Sequence, residues 1–139
     1  SNMMKKKALR QLMPKRLTKA LREKRRWVGV KVDPSCLHRA DVEALLETAT
    51  ASLEPKPNLR LMDWWPLDQR PSLGEPSPLA AEHLGAGLAV IRIHLSDVPR
   101  VRSTLEPELA YEQHGLQTLT MSGKIRLVRE RLGLPRPKR

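Results

Sequence analysis

The run from Leu88 to Leu95, LAVIRIHL, constrains this chain more than any other stretch, because Ala89, Ile91, Ile93 and Leu95 all fall on one face of an extended strand. Three other runs read the same way. Trp27 to Val32 puts Val28, Val30 and Val32 on one face, with Trp27 and Lys31 opposite, and ends at Asp33-Pro34. Leu59 to Trp65 is a further apolar stretch, carrying Leu61, Met62, Trp64 and Trp65. Leu116 to Met121 is rich in Thr, with Leu119 and Met121 predicted on one face.

Helical spacing fills the intervals. From Arg39 to Leu53, the residues Val42, Leu45, Leu46, Ala49 and Leu53 share one side, and Asp41 is a candidate cap. Ser96 is placed to cap a second helix carrying Val98, Val101, Leu105 and Leu109, which His114-Gly115 ends. After the last strand, Ser122 offers a capping hydroxyl and Gly123 a sharp turn. Ile125, Val128 and Leu132 then recur at helical spacing. Residues 66–87 are rich in Pro and Gly and read as a long loop, with a helical turn at Pro78 to Leu84. The order is β-α-β, long loop, β-α-β, then a terminal helix. It predicts an α/β chain in the broad sense, an α+β sandwich of ferredoxin-like or RRM-like type. Its four-stranded antiparallel sheet has helices on one face and leaves the other open for a protein partner.

Charge divides the chain. Residues 1–26 hold eleven Lys or Arg against Glu23 alone, for a net of +10, and residues 122–139 hold seven against Glu130, for +6. The stretch between them is net −5 within a total of +11. A mildly acidic body with two basic ends is the pattern of a protein that grips a polyanion with its termini. The N-terminal cations lack aromatic anchors and a strong apolar face, which favours nucleic acid over a membrane surface. The candidate RNA-binding residues are Lys15, Arg16, Lys19, Arg22, Lys24, Arg25 and Arg26 at one end, and Ser122, Gly123, Lys124, Arg126, Arg129 and Arg131 at the other. A helix start leaves backbone N–H groups unpaired, so Ser122-Gly123 ringed by cations is a candidate phosphate seat. An ordinary C-terminal helix with a solvated basic face accounts for the same pattern.

With 139 residues, one domain is expected: a basic arm over 1–26, in which Ser1-Asn2 reads as an expression scar, and a body over 27–139. No long apolar run or signal peptide is visible, and the reading is of a soluble, cytoplasmic protein. Cys36 is the only cysteine, and with His38 it supplies too few ligands for zinc. His38, His83, His94 and His114 are scattered, and Asp63 and Asp68 sit where solvated carboxylates are routine. No Gly-rich phosphate loop occurs. No catalytic residue, metal site or cofactor is therefore assigned to the chain. Base stacking on the sheet is disfavoured too, since Leu88 to Leu95 contains no aromatic residue and the tryptophans Trp64 and Trp65 more often pack than stack.

Three stretches carry a family resemblance. Lys24-Arg25-Arg26-Trp27 leads a Pro14-containing basic entry into the first strand. GLAVIRIHLSDVPRVRSTL, Gly87 to Leu105, forms a strand-helix unit. TLTMSGKIRLVRERL, Thr118 to Leu132, ends on a Ser-Gly-x-Ile-Arg turn. Together they resemble the Pop-five family of ribonuclease P protein subunits, also called ribonuclease P protein component 2. Lys124 stands where that pattern usually has Thr, and the 66–87 insertion and the long basic N-terminus depart from it. The resemblance implies a non-catalytic subunit of a ribonucleoprotein endonuclease that removes 5′ leaders from precursor tRNA, the RNA being the magnesium-dependent catalyst. It implies ribonuclease P RNA, precursor tRNA and a TIM-barrel-like protein subunit as partners, and admits a homodimer within a heterotetramer. The alternative is a small ribosomal or RNP-assembly protein that binds structured RNA without serving a nuclease.

Overall fold

The computed structural model describes residues 24–137. The arm cations Lys15, Arg16, Lys19 and Arg22 lie outside them. Chain order is β1 (Arg25–Val32), α1 (Arg39–Thr50), β2 (Leu59–Trp65), a 3-10 turn (Leu67–Leu73), α2 (Pro78–Ala81), β3 (Gly87–His94), a 3-10 turn (Leu95–Asp97), α3 (Val98–Leu105), α4 (Ala110–His114), β4 (Leu116–Ser122) and α5 (Ile125–Leu132). The strands form one antiparallel sheet in the order β2-β3-β1-β4, so the chain is of α+β class. No helix among the described residues is long and apolar enough to cross a membrane.

One face of the sheet carries the larger core. Val28, Val30 and Val32 of β1, Ala89, Ile91 and Ile93 of β3, Leu61 and Leu116 are buried against Val42, Leu46 and Ala49 of α1 and Val101 and Leu105 of α3. Alternation at period two on the strands, meeting the 3.6-residue repeat of the helices, is what brings these residues together. Asp41 does not cap α1 itself. It sits inside the first turn and accepts the backbone N–H groups of Leu37 and His38 at 3.1 and 3.0 Å, with His38 as the cap. The helix expected from Ser96 is broken into α3 and α4, and Asp97 is its cap. Buried Asp97 accepts the N–H of Asn58 at 3.0 Å and pairs with Arg100, which ties the entry to β2 onto the start of α3. Gly115 ends α4 with φ +74, a left-handed conformation that suits glycine.

The expectation of helices on one face does not hold. A second core of Leu88, Val90, Val128, Leu132, Leu134 and Ala80 lies on the other face, where α5 and the inserted segment cover the sheet. β3 is buried on both sides because Leu88 and Val90 are as apolar as the alternate residues. α5 can lie close because β1 has Gly29 beneath it. A Cβ there would stand 2.8 Å from Leu132 Cδ1 and 3.1 Å from Val128 Cγ1.

Two bulges decide which side chains reach which face. In β4 the register shifts so that Gly29 pairs with Thr120 and Val30 with Thr118, leaving Leu119 extra. Leu119 therefore joins the second core and Met121 the first, where period two alone puts both on one side. In β2 the same happens at Met62, between Leu61 and Asp63. The segment over 66–87 is more ordered than a loop: its 3-10 turn and α2 are held by Arg70, whose guanidinium donates to the carbonyls of Ala80, His83 and Ala86. Ser77 Oγ accepts from Ala80 N at 3.2 Å, and donates to the Arg131 carbonyl at 2.7 Å, joining the insertion to α5.

Candidate nucleic-acid interface

The start of β1 and the end of β4 are neighbours in the sheet, so cations far apart in sequence meet at one end of the molecule. Trp27 pairs with Ser122, which sets Arg26 beside Gly123. The Arg26 guanidinium comes within 3.4 Å of the position a Gly123 Cβ would take, and its Nη1 donates to the Arg25 carbonyl at 2.9 Å. Lys24 is anchored just before this pair, its carbonyl accepting the N–H of Leu95 at 2.7 Å. Gly123 and Lys124 are exposed. Arg26, Gly123 and Lys124 thus form one cationic turn, adjoined along β1 by the exposed Lys24 and Arg25, Arg25 lying on the opposite sheet face from Arg26. β1 takes in Arg25 and Arg26, which the sequence reading counted with the arm.

Ser122 is not the helix cap. It is the last residue of β4, and its Oγ accepts the N–H of Lys124 at 3.2 Å. Lys124 occupies the cap position in extended conformation, with no side-chain bond to the helix, because the chain needs two more residues than expected to turn from strand to helix. The Leu127 N–H is satisfied by the Lys124 carbonyl at 3.1 Å.

The remaining candidates divide by what they touch. Arg126 pairs with Glu130 at 3.1 Å across the helix surface, both side chains about half exposed at 52% and 53%, so water and salt compete readily with the pair. Arg129 is engaged inside the protein: Nε and Nη2 donate to the two oxygens of Asp63 at 2.7 and 2.9 Å, with each side chain only 15% exposed. That hydrogen bonding raises the Arg129 pKa. The bulge at Met62 is what turns Asp63 toward α5. Arg131 reaches back to Thr120 Oγ1 at 3.0 Å and the Met121 carbonyl at 3.2 Å. Arg129 and Arg131 therefore dock α5, to β2 and β4 respectively, while Lys124 and Arg126 stand free of the sheet.

Sequence reasoning passed over two arginines. Arg60 of β2 pairs with Arg92 of β3, and Arg92 with Trp27 of β1, while Arg25 lies opposite His94 one step further along. Opposed residues of antiparallel strands share a face. These side chains therefore line the end of the second face beside the start of α5. The signal was Arg92 interrupting an otherwise apolar strand, but its opposition to Arg60 depends on a pairing register set by the bulge. No family model, curated protein or solved structure matches the chain.

Proposed function

We propose that the protein is an RNA-binding, non-catalytic subunit of a ribonuclease P ribonucleoprotein, with a ferredoxin-like body. The β-α-β-β-α-β order with β1 and β3 central supports that fold. One observation carries the functional reading: the exposed turn at Gly123 and Lys124 is backed by Arg26 and adjoined by Lys24 and Arg25, the residues through which the basic N-terminal segment enters the sheet. RNA that must bring phosphates close together is stabilised by fixed cations at such a place.

On this reading the partners are ribonuclease P RNA, precursor tRNA and a TIM-barrel-like protein subunit, in a heterotetramer containing a homodimer, in the cytoplasm. Magnesium belongs to the RNA. The cations contact phosphate and shape, not base edges. The test is reconstitution of precursor-tRNA cleavage at low magnesium with and without the protein. Weaker cleavage in its absence supports the reading, and equal cleavage overturns it. RNA recovered with the protein from native cells separates a nuclease RNA from a ribosomal or other assembly RNA.

A further inference from the structure

We infer that Arg60, Arg92 and Arg25 form a second phosphate seat, on the sheet itself, that takes successive phosphates of one RNA strand without reading its bases. The inference rests on the RNA-binding reading above, and it adds to Arg25 two arginines that the terminal segments do not contain.

Register makes the cluster unusual. Arg60 and Arg92 are directly opposed, and Arg25 lies two residues along β1 from Trp27, the partner of Arg92 on its other side. Like charges directly opposite one another destabilise a sheet. Burial, with Arg25 and Arg60 nearby, lowers the Arg92 pKa, so the fold itself works against this charge. Among the described residues no carboxylate forms an ion pair with any of the three. The acids that do pair are committed elsewhere: Asp63 to Arg129, Glu130 to Arg126, Asp97 to Arg100, Glu106 to Arg102 and Glu47 to Lys56. Three guanidiniums gathered at a cost and left without a counter-charge fit an anion supplied from outside.

Two more observations agree. The indole N–H of Trp27, in register with Arg92, is buried without an acceptor. The rest of this face is closed by α5 and the insertion, leaving Leu88 and Val90 fully buried. An incoming strand meets this end row of the face, where it finds arginine forks suited to phosphate oxygens.

Full-length protein is titrated with a tRNA transcript and with poly(U) over roughly 50 to 300 mM salt, the range in which phosphate contacts show as a slope of log affinity on log salt. Removing two single-strand phosphate contacts by Arg60→Gln with Arg92→Gln is expected to lower the slope for poly(U) by about 1.4 and the affinity near 0.1 M salt by about 25-fold. Thermal unfolding of the double variant stays at or above the wild-type midpoint, since repulsion is relieved. Arg60→Lys with Arg92→Lys restores the slope.

An unchanged slope in a folded double variant, with wild type still binding RNA, overturns the sheet site and leaves the RNA reading standing. Wild type that binds neither RNA overturns both. A defect of the double variant confined to vesicles containing phosphatidylserine, with RNA binding intact, also overturns the site.

Discussion

The two faces of the sheet are built on different principles. The face under α1 and α3 is a continuous apolar layer, in which each contributing residue was chosen for burial and little else. The face under α5 and the insertion is smaller and is closed by particular devices: a glycine that lets a helix approach, a partly buried Arg129–Asp63 pair, and Arg70 holding three carbonyls while only 8% exposed. The first face holds the domain together. The second fixes where the basic helix and its preceding turn are held. What differs is the kind of residue that cannot be replaced: volume on one side, geometry and charge on the other.

The sharpest challenge to that contrast is Ile91→Ala. This residue is 2% exposed in the larger core, and its loss is expected to cost about 2–5 kcal/mol, with the whole domain unfolding in one step in urea. Loss of α5 alone in that variant would break the contrast.

Gly29→Val should cost about 1–3 kcal/mol by overpacking. Its effect should appear first as faster amide hydrogen exchange in α5, before the α1 and α3 amides respond. Asp63→Asn weakens the pair to Arg129, and a hydrogen bond to a charged group is worth about 1.5–3 kcal/mol. At 15% exposure the pair is little screened by solvent, but asparagine keeps one acceptor oxygen for the guanidinium, which puts the expected loss toward the lower end. A double-mutant cycle with Arg129→Gln measures the coupling; no coupling, together with weaker RNA binding by Arg129→Gln, would move Arg129 from docking to the interface.

The smallest effect is pH-dependent. Burial, and then Lys31, lower the His83 pKa, so the unfolded chain takes up the proton first as pH falls. The stability owed to neutral His83 is complete above the unfolded value of about 6.5 and declines as pH drops below it toward the folded value. His83→Gln should flatten that part of the stability profile.

Much of the larger face was legible in the sequence, because strand alternation at Val28, Val30 and Val32 and helical spacing at Val42, Leu46 and Ala49 are local patterns. The second face was not, since Leu88 and Val90 read equally well as fillers of an exposed surface until a helix is known to cover them. Ser122 was read as a cap two residues too early because hydroxyl chemistry at a turn does not say how many residues the chain needs to reverse. Arg129 and Lys124 look alike in sequence as members of one basic run; only the tertiary position of Asp63 tells a docking cation from a free one. Arg60 and Arg92 were missed because long-range register carries no local trace.

The extra residue at Met62 reaches beyond its own strand. An unbroken ladder through β2, with Met62 meeting Val90, would leave composition untouched while putting the carboxylate after it opposite Ala89 in the far layer, stranding an anion among aliphatic side chains and freeing Arg129. The side on which Arg129 finds its counter-charge thus hangs on one unpaired residue between a leucine and two tryptophans, and a ladder that slips by that single position exchanges the wet and dry sides of the strand end.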